Sequence, residues 1–490
     1  MKRLPIALVL AAAAHAATWY VDSAAGSDAN SGDSPRTAWR SLARIATHEF
    51  APGDRILLRG GSVFREQLRP RSSGAANAPL VIDRYGEGPL PRIEAGDVAE
   101  DAVLVYNLQY MEIGHLEITN HGRAAAPRRG VHIFLDNFGT ASHIVIRSLY
   151  IHDVNGTEQR KDNGGIIFRT NGNRVPSRFD GLLIERNIIR TVDRSAIAAQ
   201  SYHARRSRWF PSLHVVIRDN YVADIGGDGI VPWATDGARI EHNIALHCNR
   251  RAGSYNAAIW PWSADHSVFE WNEAAFTHTT LDGQGFDSDF NSRGTLFQYN
   301  YSHDNEGGFL LICSPGQRDP RENIGNTGTI ARRNLSRNDR SRIFHISAVE
   351  HTLIEDNAVY VGPGVDVQMV LMSNWSGWAR DTRFVRNRFY VEGTARYGHG
   401  VAKNPDGTYD LAEGWGPAED TVFQGNFFFG HHTGLPGAAE NTVASRVPAL
   451  LRQWTTPAFD PSRPDTFDAF LAAHRAWLRR LITGEFGPLP

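Results

Sequence analysis

The chain has 490 residues, 41% of them hydrophobic and 21% charged, which makes it globular and long enough for a large core or several small ones. A formal net charge of −2, with no basic stripe, excludes an electrostatic case for nucleic acid. Beyond the leader no apolar run approaches the ~20 residues of a membrane span.

The first residues, MKRLPIALVLAAAAHA, have the form of a secretory signal. Lys2 and Arg3 supply the positive start, an apolar stretch follows, and Ala14-His15-Ala16 offers a cleavage site after Ala16. The mature chain is therefore expected to be secreted or periplasmic. Residues 17–54 follow as a strand (TWYVD), a Gly/Ser/Asp-rich loop and one short amphipathic helix around Trp39–Ala46. A repeat stack needs its first coil covered, and this helix suits that cap. Basic residues are nearly all Arg, with Lys only at 2, 161 and 403, a bias that reads as codon usage.

Residues 55–433 are dominated by an apolar-x-x-Asn motif. It recurs as Ile184…Asn187, Ile217…Asn220, Ile240…Asn243, Phe269…Asn272, Phe297…Asn300, Ala331…Asn334, Ile354…Asn357, Phe384…Asn387 and Phe423…Asn426. Two earlier units, Ile113…Leu116 and Ile146…Leu149, keep the frame with Leu. Spacings vary between 23 and 39 residues, which suits coils of three short strands and disfavours four-stranded propeller blades. An all-β, right-handed parallel β-helix is expected. At a bend the Asn amide can bond backbone and the equivalent Asn of the next coil, so these residues read as a structural ladder. Residues 434–490 leave the repeat. Phe467, Phe470, Leu471, His474, Trp477, Leu478 and Leu481 follow helical spacing, and the helix is expected to pack back on the solenoid or close its end. Cys248 and Cys313 read as two buried thiols, with no disulfide framework.

The stretch 281–313, LDGQGFDSDFNSRGTLFQYNYSHDNEGGFLLIC, holds the densest acids of the array: Asp282, Asp287, Asp289, Asp304 and Glu306. Asp287 and Asp289 lie two apart in a strand, so they share a face where they repel each other and add nothing to packing. Counting back from each Asn sets Phe286–Phe290 beside Ala258–Trp262, Gly229–Trp233 and Phe309–Cys313. In that register the two acids stand where neighbouring coils carry Ile230, Pro232, Ile259, Pro261, Leu310 and Ile312, breaking an apolar column. Trp233, Trp260 and Trp262, flat surfaces suited to sugar rings, then fall on the opposite face unless a bulge re-aims one set. Asp304 reads as a turn acid, Ser302-His303-Asp304 cannot form a triad from adjacent residues, and no Cys/His spacing matches a metal site.

With repeat and acids laid out, the chain resembles the secreted right-handed parallel β-helix proteins of the pectate-lyase-like superfamily. WYVD-x-x-x-GSDANSGDSP-x-x-AWRSLARI is similar to the opening segment of many of them. AAIWPWS, DGQGFDSDF and NYSHDNEGGFLLIC resemble an uncharacterised bacterial subgroup. The resemblance covers roughly residues 17–430 and implies the fold; the superfamily includes polysaccharide lyases, glycoside hydrolases, epimerases, tailspikes and copper-site accessory proteins. Two departures stand out. Gly227-Asp228-Gly229 is similar to the G-D-D-G of polygalacturonases but has one Asp. Asp289 matches the strand Asp of β-helix xylosidases, whose partner Glu is replaced here by Ile312.

Glycoside hydrolysis through paired carboxylates is the leading expectation, with Asp287 or Asp289 as base or nucleophile and Glu306, Asp282 or the other Asp as acid. Asp228, Trp233, Trp260, Trp262, Gln284, Arg293, His303 and His345 are the candidate substrate contacts. The alternatives are a polysaccharide lyase, with the Asp cluster binding Ca²⁺, an epimerase, or a non-catalytic binding solenoid. A monomer with a carbohydrate partner is expected, with neither nucleic acid nor membrane, and no cofactor or metal unless the reaction is a Ca²⁺-assisted elimination.

Overall fold

The computed structural model describes residues 16–486 apart from 125, 254, 316–318, 376, 438–439 and 449–454. The leader before Ala16 thus lies outside the described residues. Among them no helix is long and apolar enough to cross a membrane.

Short strands stack in parallel from coil to coil. One face runs through Thr140–Arg147, Arg178–Glu185 and Ser212–Arg218. A second runs through Tyr150–Val154, Ile188–Val192 and Tyr221–Ile225. The third runs through Arg129–Asp136, Gly164–Asn171, Ser195–Ser201 and Ile230–Val231. It continues by the bridges Ile230–Ile259–Phe286 into Gln284–Ser288, Gly308–Cys313, Ser341–Ser347 and Asp366–Ser373. This is the right-handed parallel β-helix. Helix α1 (Ala43–Thr47) is a single turn that buries Ile45 at the start of the stack, beside fully buried Trp39 and Leu42.

The Asn ladder holds the first and second faces together. Nδ2 of Asn187, Asn220, Asn243, Asn272, Asn300, Asn334, Asn357 and Asn387 each donates to Oδ1 of the next Asn at 2.9–3.0 Å. Each amide also donates back to a strand carbonyl, as Asn300 does to Phe269 at 2.8 Å. The preceding residue of each bend is left-handed, from Arg186 (φ 55°) to Arg386 (φ 53°). Such a conformation costs a non-Gly residue ~1 kcal/mol, and the ladder bonds offset it. Inside, apolar residues stack in columns, with Phe269 on Phe297 at 4.8 Å and Phe384 on Phe423 at 4.5 Å.

Helix α2 (Phe467–Phe486) lies lengthwise on the second face. It does not plug the end. Phe467, Phe470 and Leu471 pack on Tyr150, Ile188, Tyr221 and Ile244, while Trp477, Leu478, Leu481 and Ile482 pack on Tyr301, Leu335, Ala358 and Tyr390. One polar residue interrupts that apolar stripe. Glu273 is in register between Ile244 and Tyr301, and it accepts hydrogen bonds from His303 Nε2 (2.9 Å), His474 Nε2 (2.5 Å) and Thr456 Oγ1 (2.9 Å). Cys248 and Cys313 are both free and buried.

Candidate active site

The third face carries the acids, and its register corrects the one counted from the sequence. Phe286 is the residue that bridges Ile259 and pairs with Leu310. The interior column therefore runs Ile230, Ile259, Phe286, Leu310, Phe344, Val370 without interruption. Asp287 lies one residue on, in the outward column of Val231, Trp260, Leu311 and His345. The apolar column is not broken, and the residue following Asp289's neighbour Ser288 pairs off towards Cys313, not Ile312. The cause is a single inserted residue. From Phe286 to the next bridge at Arg293 is 293 − 286 = 7 positions, against 265 − 259 = 6 from Ile259 to its partner Asp265. The left-handed residue at the corner is kept from coil to coil, Ser263 (φ 49°) and then Asn291 (φ 61°), so the extra residue lies between Phe286 and Asn291. A slip of one exchanges the two faces of a strand, so acids and tryptophan share a face after all.

That face is built as a groove. Trp260 packs on Ile167, Ala198, Val231 and Ala257, with Trp262 at the margin. Trp262 sets its ring edge-on to Trp233 at 4.2 Å and to Phe290 at 5.2 Å. Asp228 does not face the groove: it is 1% exposed and accepts Trp260 Nε1 (3.1 Å), Arg194 Nη1 (3.1 Å) and Lys161 Nζ (3.2 Å). Lys161 also sits 4.8 Å above the Trp260 ring. The indole is thus fixed by a buried ion cluster.

Asp282, Asp287 and Asp289 converge beside it. Asp287, Asp289 and Cys313 bring ligand atoms within 4.8 Å of one another. Asp289 Oδ1 accepts its neighbour Phe290 N–H (2.7 Å) and Cys313 S–H (3.2 Å). Desolvation raises all three acids, the Asp228 charge adds to it at each, and Asp289 repels both Asp282 and Asp287. Asp289 is pushed up to about 6 and Asp282 to about 7, while Asp287 stands well above the usual carboxylate range. Lys161 opposes the rise at all three, and Arg342 does so at Asp282. This donor set suits Ca²⁺ poorly, since Ca²⁺ takes hard oxygen ligands and the third donor here is a thiol.

The turn carrying Asp282 is clamped from below. Buried Arg342 donates to the carbonyls of Asp282 (3.2 Å), Thr280 and Gly407 (2.8 Å), joining it to the 404–408 turn. A Cβ on Gly307 would overlap the Asp282 carbonyl, and one on Gly308 the Arg342 carbonyl, so the two glycines let the chain pass close to both.

The other sequence candidates divide. Gln284 is fully buried, with both amide atoms unpartnered, and lies on the acid strand. His345 shares Asp287's column, held by Ser373 Oγ (2.7 Å) between the rings of Trp375 and Tyr409, with Nδ1 unpartnered. Glu306 points away, pairing with His278 (3.3 Å) and capping Thr279 N–H (2.5 Å). Arg293 pairs with Asp265 on another face (3.0 Å), and His303 lies under α2. Lys161, Arg194, Arg342 and Cys313 were not singled out from sequence. The scarcity of Lys was a usable signal: Lys161 Nζ donates to the Tyr255 carbonyl (3.3 Å) and Lys403 Nζ lies 5.3 Å over the Tyr255 ring.

Coils, ladder and outward groove define the chain as a right-handed parallel β-helix. No family model matches it. It is similar to a lacto-N-biosidase of Bifidobacterium longum subsp. longum, 30% identical over 494 aligned residues, 80% of this chain and 30% of that protein. The chain therefore spans under a third of that relative. Among solved structures it is similar to the GH136 lacto-N-biosidase from Eubacterium ramulus, at 27% identity over 76% of this chain and 68% of that one. The TM-scores are 0.67 for the selenomethionine derivative and 0.64 for the native protein.

Proposed function

We propose that the chain is an exported glycoside hydrolase that cleaves an oligosaccharide, and that lacto-N-biosides, named in its relatives, are the first substrates to test. The observation that carries this is the convergence of three carboxyls in one groove beside a fixed indole. Asp289, whose Oδ1 accepts the Phe290 N–H and the Cys313 S–H and whose Oδ2 is left to react, is the nucleophile. Asp282, near 7, is placed to give a proton and take one back, which a general acid/base must do around neutral pH. Asp287 remains protonated and donates a hydrogen bond to the sugar through its own hydroxyl. The Asp289 carboxylate attacks the anomeric carbon as the glycosidic bond breaks and Asp282 protonates the leaving oxygen. Water, deprotonated by Asp282, then cleaves the glycosyl ester and frees Asp289, so the anomeric configuration is retained. Trp260 stacks on the sugar, and the Gln284 amide supplies unpartnered donors and acceptor for its polar groups.

The test is release of the aglycone from an aryl lacto-N-bioside, alongside a panel of other aryl glycosides. Asp289→Asn and Asp282→Asn should each lose at least ~10³-fold in kcat. Azide should rescue the Asp282 variant with retained product and the Asp289 variant with inverted product. Folded Asp289→Asn protein with wild-type turnover, or no release from any glycoside by the wild type, overturns the reading.

A further inference from the structure

We propose that Cys313 is a positioning residue for the nucleophile: its thiol, donated to Asp289 Oδ1, reserves that oxygen as the future ester carbonyl and leaves Oδ2 to attack. The inference rests on the hydrolase reading above and adds to it why that oxygen reacts and why a sulfur stands behind it.

The geometry fixes the direction of the bond. Cys313 Sγ lies 3.2 Å from Asp289 Oδ1. Burial and the neighbouring Asp289, Asp287 and Asp282 push the thiol well above its ordinary range. The proton therefore stays on sulfur, and sulfur is the donor. Cys313 is 4% exposed, and its carbonyl is tied to Asn326 Nδ2 at 3.1 Å. The other thiol, Cys248, is fully buried in the core against Gly229, so no disulfide competes for it.

Among the described residues both donors to Asp289, the Phe290 N–H and the Cys313 S–H, reach Oδ1. The two oxygens are thereby made unequal before substrate arrives. When Oδ2 bonds to the anomeric carbon, the glycosidic oxygen leaves with the proton of Asp282 and the carboxylate charge is consumed. Oδ1 becomes an ester carbonyl and keeps its two donors. A strong donor would bind the carboxylate more tightly than the ester and so stabilise the ground state against the transition state. A thiol is a weak donor. It orients the group while giving up little as the charge disappears.

The test pairs kinetics with a readout that needs no turnover. Cys313→Ala should move the acid limb of kcat/KM to higher pH by about half a unit, because the ionised carboxylate loses a donor. Cys313→Ser, a stronger donor, should move it to lower pH and reduce kcat. A wild-type acid limb in both variants overturns the proposal. Independently, the infrared S–H stretch, assigned by the wild-type minus Cys313→Ser difference, should shift as Asp289 titrates near 6. It should stop responding in Asp289→Asn, with the Cys248 band as the unchanging reference. A Cys313 band indifferent to pH overturns the bond even if the enzyme is a hydrolase. A responsive band in a protein that turns over no glycoside keeps the bond and removes the nucleophile role with the hydrolase reading.

Discussion

Glu273→Gln tests what holds α2 on the solenoid. Glu273 and His474 are 1% and 2% exposed in their side chains, and His303 Nδ1 is further held by Asp304 at 2.8 Å. Glu273 lies well below the usual carboxylate range, because the bonds from His303 and His474 outweigh its desolvation. His303 is raised to about 9, its carboxylate partners outweighing burial. The amide keeps one acceptor oxygen for two imidazoles and a hydroxyl, and it removes the charge facing His303. Breaking a buried pair from one side costs ~3–5 kcal/mol. The pH dependence has a definite sign. A raised histidine contributes fully below its unfolded value of 6.5, and the contribution falls as pH climbs to about 9. That window carries up to ~3 kcal/mol. The carboxylate's contribution is present throughout it and is lost only in acid, below the ordinary Glu value of 4.5. Repeat arrays need not unfold in two states, so the fitting assay is native-state hydrogen exchange of the α2 amides. At pH 6 the variant should exchange ~10²-fold or more faster, and the ratio should shrink at pH 9. Equal exchange at pH 6, or a ratio that does not fall with pH, would refute this account of the latch.

Further outcomes follow from the ladder and the groove. Asn300→Ala removes a donor to Asn334 and Phe269 and an acceptor for Asn272 N and Nδ2; at ~1 kcal/mol for each buried group left unpaired, the loss is at least ~3 kcal/mol, and native-state hydrogen exchange of the flanking coils should speed up ~10²-fold. Asp287→Asn should raise the melting temperature at pH 7 and hardly change it at pH 4. The native carboxyl resists the ionisation the unfolded chain undergoes above 3.8, and an equal effect at both pH values would count against it. Lys161→Met removes the positive charge that lowers Asp282, so the basic limb of the pH–rate profile should move up; a downward shift contradicts the assignment. Trp260→Ala should raise KM roughly tenfold with kcat changed much less, and a loss confined to kcat would deny the stacking role.

The sequence by itself determined the architecture. Its Asn recurrence follows from a chemical need repeated in every coil, a buried bend with donors and acceptors to satisfy, so it is visible at each turn from Asn187 to Asn426. The spacing of Phe467, Phe470, Leu471, His474, Trp477, Leu478 and Leu481 likewise marked the face that α2 buries. The crowding of Asp282, Asp287 and Asp289 marked the candidate site, since three acids in eight residues of a stacking coil ask for another reason to be there. Which face they use is settled by the stacking of the coils. One residue inserted between Phe286 and Arg293 reverses the register, and nothing local to the strand reports it. Tertiary contact alone also separated Glu306, His303 and Arg293 from the groove and brought in Lys161, Arg194, Arg342 and Cys313. Residues far apart in the chain become neighbours through coil stacking at ~4.8 Å. The charge each one feels, and so the proton it holds, is set by those neighbours and by burial, neither of which is written in the order of residues.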